Sequence, residues 1–475
     1  MDAYNNTNVD LETLTCPITL QVFRDPVIAT DGHVYERKAI VKWIETHGTS
    51  PLTREPLNVA DLNSDEYLKN LVSQRRSSTV SYIAKDDSVI IPVIYGDQNE
   101  NANTSVRLSN SQLSSRRTKK STVRWVLAGT CPFQYSQQTI YQTIFYSYWV
   151  NVADFNNDAL PDVVIATTDS NSVDVFLGDG TGFFGIQRTF LKESLPHSIA
   201  VGDVNNDNYL DIVVTNTNSD SVSILLGYGS GNFTNQRAFA TGSQPNSVAL
   251  ADFNNDMILD IVVVLAGDHN IGVLLGYGNG SFAKSIIIPT EHYPFSVAVA
   301  DFNNDWKLDI VSVGISAPTI IIILGNGDGS CADQVMISTQ HQLYSVAVGD
   351  VNNDNRVDIV FCDSSSDIVC VLFGYGNGYF ANEMSFRTKS QPYLVAVGDV
   401  NNDNQLDIVV GNLGSYCLSG LVGYGNGNFS DQIEFGASSF PSSFALGDFN
   451  KDHRLDIVVA NFGSREISIL LNMCL

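Results

Sequence analysis

The chain has 475 residues, 44% of them hydrophobic and 16% charged, which excludes wholesale disorder and exceeds what one ordinary domain needs. Its net charge of −25 is uneven: residues 1–75 hold 7 basic and 11 acidic groups (−4), residues 76–123 hold 7 and 4 (+3), and residues 124–475 hold the remaining 12 and 36 (−24). So acidic a C-terminal part repels phosphate, which argues against a nucleic-acid partner.

The opening Met1-Asp2-Ala3-Tyr4-Asn5 has neither the basic start nor the apolar core of a signal peptide, and no run reaches transmembrane length. Seven cysteines form no CxxC pair and leave one over, as expected of reduced thiols in a cytoplasmic protein without a membrane partner.

In residues 1–75, Val27-Ile28-Ala29 and His33-Val34-Tyr35 flank the turn signal Thr30-Asp31-Gly32 and predict a β-hairpin. Residues 37–47 place Ala39, Ile40, Trp43 and Ile44 on one helical face, and Gly48 ends that helix. A second loop, Ser50 to Leu57, leads to a last helix from about Ser64, with Asn63 and Glu66 as a capping pair. One cysteine (Cys16) and two histidines (His33, His47) cannot fill two four-ligand zinc sites, so this small α+β unit is expected to hold no zinc.

Over roughly residues 12–74 the order of motifs resembles the U-box family, the zinc-free relative of RING ubiquitin ligases. The carriers are Cys16-Pro17-Ile18-Thr19, Asp25-Pro26-Val27, Gly32 to Arg37, Ile40 with Trp43, and Ser50-Pro51-Leu52-Thr53. The resemblance implies that Ile18, Leu20, Pro51 and Leu52 grip a ubiquitin-conjugating enzyme over a floor made by Trp43. It puts Arg54 where such ligases often hold a basic residue that bonds both enzyme and ubiquitin, since a guanidinium fork satisfies two carbonyls at once. No covalent intermediate is implied; the ligase orders the thioester for attack. The same apolar residues also suit a small core, and Arg54 a solvated surface. Ser64-Asp65 departs from the Pro-Asn that many members carry there.

Residues 76–132 are rich in Ser, Asn, Thr and Gln and read as a flexible linker. Arg116-Arg117-Thr118-Lys119-Lys120 fits an import signal or a plain linker patch, and the plain reading is preferred.

Residues 133–475 repeat with a strict period. D-x-N-x-D-x-x-x-D begins at Asp154, Asp203, Asp252, Asp301, Asp350, Asp399 and Asp448, always 49 residues apart. Four apolar stretches per period, with turns such as Gly227-Tyr228-Gly229, predict seven four-stranded blades of a β-propeller. The turn carries Phe184, Phe233, Phe282, Phe380 and Phe429, whereas Cys331 breaks the series in the fourth blade. The chain stops at the third strand of a blade, so the missing fourth is expected from around Gln138–Thr143. Such a closed ring has no free edges and is expected to be monomeric.

Alternating Asp, Asn and Asp with a ninth-position Asp make a hard oxygen set that suits Ca²⁺. An EF-hand is excluded, because position 6 is never Gly. The candidate ligands are Asp154, Asn156, Asp158 and Asp162; Asp203, Asn205, Asp207 and Asp211; Asp252, Asn254, Asp256 and Asp260; Asp301, Asn303, Asp305 and Asp309; Asp350, Asn352, Asp354 and Asp358; Asp399, Asn401, Asp403 and Asp407; Asp448, Asn450, Asp452 and Asp456. Asp and Asn also shape turns without metal, but three unneutralised aspartates per loop would repel one another. The pattern resembles the FG-GAP/VCBS repeats of integrin α-like propellers, which implies up to seven structural Ca²⁺ sites. The opposite rim, with dissimilar loops such as 191–196, 289–295 and 342–344, is the expected recognition face.

The chain is thus expected to be multidomain, a U-box followed by an all-β seven-bladed propeller. Its expected work is that of a ubiquitin ligase: the first part recruits the charged conjugating enzyme and the ring selects a protein substrate. Rival readings are a calcium-dependent adhesion or sugar-binding propeller, and a non-catalytic scaffold with a vestigial U-box.

Overall fold

The computed structural model describes residues 26–29, 34–37, 40–42, 44, 58–64 and 133–473, apart from 144, 186, 191–194, 291–292, 316–318 and 437–438. In the N-terminal unit Pro26–Ile28 pairs antiparallel with Val34–Glu36, in the register Val27 to Tyr35. Helical backbone follows at Arg37, at 40–42 and at Ile44, with Ile40 and Ile44 buried beside Val27 and Ala29 as the apolar spacing predicts. A one-turn 3-10 helix, Val59–Asp61, precedes Asn63–Ser64, which pairs with Val27 and Ile28 as a third strand. Asn63 was expected to cap a helix. The helix expected after it lies outside the described residues; a cap residue has extended backbone, and here that backbone pairs with Ile28 as a strand edge.

The ring consists of seven four-stranded antiparallel sheets. In the first blade the strands are Ser147–Ala153, Asp162–Thr167, Ser172–Phe176 and Arg188–Phe190. First strands touch their counterparts in neighbouring blades and so line the axis. Every second strand is buried along its whole length, which explains apolar runs such as Val163-Val164-Ile165 without alternation. Outside the fourth blade the outer strands have three or four residues and are half exposed.

Closure follows the expected one-plus-three arrangement. Thr139–Gln142 supplies the outer strand of the seventh blade, with Ile467 opposite Tyr141 and Ile469 opposite Thr139. An apolar cluster spans the seam, joining Val150, Val163 and Ile165 of the first blade to Phe449, Val458 and Ile467 of the last. Phe184 stands edge-on to Phe449, 5.5 Å between centroids, as Phe233 does to Phe155 one interface on.

The fourth blade differs where Cys331 predicts it. Its outer strand, Cys331–Ser338, has eight residues and begins by pairing Cys331 with Gly325. In five other blades a Gly–Phe bridge stands at that place, as between Gly227 and Phe233. Among the described residues no helix is long and apolar enough to cross a membrane.

Candidate functional site

Each aspartate loop joins the first strand of a blade to the second, and all seven share one hydrogen-bond pattern. In the first copy the Asp154 carboxylate accepts the N–H groups of Asp158 (3.2 Å) and Ala159 (2.7 Å). The Asn156 side-chain oxygen accepts the Asp158 N–H at 3.0 Å, and Asp158 accepts the Leu160 N–H at 2.9 Å. Positions 4 and 6 take left-handed backbone throughout, even where position 6 is Met257 (φ 70°) or Trp306 (φ 68°). That conformation costs a bulky residue about 1 kcal/mol or more. The position-6 N–H bond to the first aspartate offsets it.

The ninth-position aspartate is a latch. Asp162 is fully buried; one oxygen accepts the Phe155 N–H and the other the Gly178 N–H, both at 2.8 Å, tying the aspartate loop to the glycine turn of its own blade. Asp211, Asp260, Asp309, Asp358 and Asp407 do the same, and in the last blade Asp456 accepts the Phe449 N–H at 2.9 Å and, in place of a glycine, the Asn472 N–H at 2.6 Å. Burial, with the charges of positions 1 and 5 behind it, pushes the pKa of Asp162 up to about 7 and that of Asp407 to about 8.

This donor set fits a hard divalent cation: the first, third and fifth side chains offer oxygens with unused lone pairs, and an unneutralised negative field surrounds the latch. Basic side chains at position 7 partly supply the missing charge in three loops, as Lys307 to Asp305 (3.2 Å), Arg356 to Asp354 (3.9 Å) and Arg454 to Asp452 (3.5 Å). The first, second, third and sixth loops have Leu160, Tyr209, Ile258 and Gln405 there.

The opposite rim ends in an aromatic plug on the axis. The second residue of each inner strand points to it: Tyr148, His197, Asn246, Phe295, Tyr344, Tyr393 and Ser442, again 49 apart. Tyr344 and Tyr393 lie 4.7 Å apart, Tyr148 and His197 4.3 Å, and Phe295 meets both Tyr344 and Tyr393 edge-on. The Tyr148 and Tyr393 hydroxyls come within 3.3 Å across Ser442. His197 Nδ1 lies 2.7 Å from the Asn246 carbonyl, and burial pushes its pKa down to about 4, so the plug is uncharged at neutral pH. The variable loops singled out this rim but not the plug. Its signal was there as one column of the repeat, changing from blade to blade while the residue before it is Pro in five blades and the residue after it Ser in five.

Ile18, Leu20, Trp43, Pro51, Leu52 and Arg54 lie outside the described residues.

A U-box domain model matches residues 12–77, and an FG-GAP-like repeat model matches 154–214, 203–263, 256–312, 301–361 and 350–410. U-box domain-containing protein 12 of Oryza sativa subsp. japonica is 45% identical over 60 residues, 12% of this chain and 10% of that protein. WD repeat, SAM and U-box domain-containing protein 1 of Danio rerio is 46% identical over 67 residues, 14% and 13% of the two chains. The rice E3 ubiquitin-protein ligase SPL11 is 42% identical over 60 residues, 12% and 9%. The chain therefore spans only about a tenth of the length of these relatives. Among solved structures, BBS1N in complex with ARL6DN aligns with a TM-score of 0.53 at 12% identity, over 72% of this chain and 97% of that one. Virginiamycin B lyase from Staphylococcus aureus aligns at 0.51 and 11%, over 72% and 100%. At such identity the likeness is one of fold alone. The chain belongs to the FG-GAP-like repeat family, as a seven-bladed propeller that follows a U-box domain.

Proposed function

We propose that this chain is an E3 ubiquitin ligase whose U-box recruits a charged conjugating enzyme and whose propeller holds the protein to be modified. The observation that carries this reading is the U-box match over residues 12–77, shared with a relative named as an E3 ubiquitin-protein ligase. In it Ile18, Leu20, Pro51 and Leu52 contact the conjugating enzyme, Trp43 supports them, and Arg54 positions ubiquitin for attack by a substrate lysine. The aromatic plug and the dissimilar loops around it form the recognition face, because aromatic anchors supply contact area at low entropic cost. The proposed setting is cytoplasmic, with a monomeric ring; Cys331, Cys362, Cys370 and Cys417 are free thiols. The test is a reaction of the full chain with activating enzyme, a panel of conjugating enzymes, ubiquitin and ATP. Ubiquitin ladders are expected on the chain itself and are lost in Ile18→Ala; no ladder with any conjugating enzyme overturns the reading.

Calcium enters the proposal as a structural ion at up to seven loops, held by the first, third and fifth side chains. Supplied there, a divalent cation neutralises the carboxylates that crowd each latch. A site held at a hundred times its dissociation constant adds about 2.7 kcal/mol. Millimolar CaCl₂ is therefore expected to raise the melting temperature of the EGTA-treated chain by several degrees. Asp207→Asn, in a loop without a basic seventh residue, should shrink that rise more than Asp305→Asn, whose loop has Lys307. An unchanged melting temperature removes calcium from the account.

A further inference from the structure

The fifth blade, with strands Leu343–Gly349, Asp358–Asp363, Ile368–Leu372 and Met384–Arg387, departs from most of its sisters at four positions that meet in space. Where it has His341, four of the other six periods have Ser, among them Ser243, Ser390 and Ser439, and one shares the histidine, as His292. Where it has Asp363, three have Asn (Asn216, Asn412, Asn461). Cys370 stands in place of Ser223, Ser419 and Ser468, and Glu383 in place of a Gln found in five of the six. In three sister blades the equivalent residues are neutral and bonded to one another: Asn412 Nδ2 donates to Ser419 Oγ at 2.8 Å, and Ser419 Oγ donates to Gln432 Oε1 at 3.1 Å. The Asn216–Ser223 and Asn461–Ser468 bonds repeat it. In the fifth blade every member has become a residue type that binds metal.

The geometry follows the chemistry. A ring nitrogen of His341, the Cys370 sulfur and a Glu383 oxygen all lie within 4.8 Å of one another, the only such group of three among the described residues. Asp363 is fully buried; its Oδ1 accepts the N–H groups of Gln342 and Ser365 (both 3.0 Å) and the Ser365 hydroxyl (2.6 Å). That leaves Asp363 Oδ2 to accept the His341 Nδ1–H at 2.7 Å, which fixes the ring and turns Nε2 toward Glu383, 2.9 Å away. Carboxylate, histidine and then metal is the order in which proteins orient a zinc-bound imidazole.

We propose that His341, Cys370 and Glu383 form a zinc site, with Asp363 as the carboxylate that orients His341 and solvent in the fourth position. Mixed nitrogen, sulfur and oxygen ligands suit zinc and disfavour calcium and magnesium. Ligand atoms around tetrahedral zinc stand roughly 3.3–3.7 Å apart for bonds of about 2.0–2.3 Å. The Glu383 side chain, which is 40% exposed, has room to move from its 2.9 Å bond with His341 Nε2 to that spacing and leaves an entry path. The rival occupant is a proton: an imidazolium held between Asp363 and Glu383, with Cys370 a buried bystander. Sequence reading missed the cluster because its residues are spread from 341 to 383 with no motif spacing, and only a column-by-column comparison of the repeats exposes it.

Cobalt(II) and zinc titrations of the reduced full chain in excess CaCl₂ test this. One cobalt ion per chain is expected to give a thiolate-to-cobalt absorption band that zinc bleaches. Cys370→Ser and His341→Ser install the sister-blade residues, so the ring should keep its melting temperature while the band disappears. Asp363→Asn, also a sister residue, should weaken zinc binding about 10–100-fold without removing the band. A wild-type chain with no band, or a band that survives Cys370→Ser, overturns the site and leaves the protonated histidine in its place.

Discussion

Asp358→Ala is expected to destabilise the ring by about 2–6 kcal/mol, because it strands two buried N–H donors at about 1–3 kcal/mol each. Those donors are Val351 N–H at 3.0 Å and Gly374 N–H at 2.8 Å, one at each end of the latch. Without it the aspartate loop and the glycine turn of the fifth blade lose their connection. Asp358→Asn keeps one acceptor oxygen and should fall between wild type and the alanine variant. Asp354→Ala, in the same loop, removes an exposed carboxylate that accepts the Arg356 N–H and should cost less. Urea unfolding in calcium-free buffer separates the two. If Asp354→Ala costs as much as Asp358→Ala, the ninth position is not the structural member of the motif.

Deleting residues 133–143 is expected to cost more. The outer strand Thr139–Gln142 is lost, and with it Phe133, which stacks on Phe435 at 5.7 Å, and Tyr135, 4.7 Å from the same ring. Tyr141, whose hydroxyl accepts the Phe184 N–H at 3.0 Å across the seam, goes too. Three buried or half-buried aromatics at about 1.5–3 kcal/mol each give roughly 5–9 kcal/mol. The Glu466–Leu470 strand would become an open edge, so self-association should accompany the lower melting temperature. Ile140 faces solvent on the same strand, and Ile140→Thr should change neither property. A monomeric deletion variant with unchanged melting would mean that the ring does not depend on its clasp.

Much of this architecture is written in the period. A strict step of 49 fixes which stretches are equivalent, and it marks Thr139–Gln142 as the outer-strand stretch that precedes the first period and pairs with the last blade. The Cys331 irregularity was legible for the same reason, since one missing aromatic in a column has a local cause. The aspartate loops were legible as seven equivalent carboxylate-rich turns, yet the role of their ninth residue as a backbone latch was not, because spacing reports which side chains recur and not which N–H groups they meet. The Asn63–Ser64 strand was missed because extended backbone serves a helix cap and a sheet edge equally well. The axial plug and the fifth-blade cluster join residues tens to hundreds of positions apart, and no local pattern marks them.

Ubiquitin transfer is measured most directly as single-turnover discharge of ubiquitin from a charged conjugating enzyme onto free lysine by the full chain. Wild type is expected to accelerate discharge, Ile18→Ala to abolish the acceleration through lost recruitment, and Arg54→Ala to reduce it at saturating conjugating enzyme. Discharge no faster than in the absence of the chain, across a panel of conjugating enzymes, would contradict the account and leave a binding propeller with an inert front end.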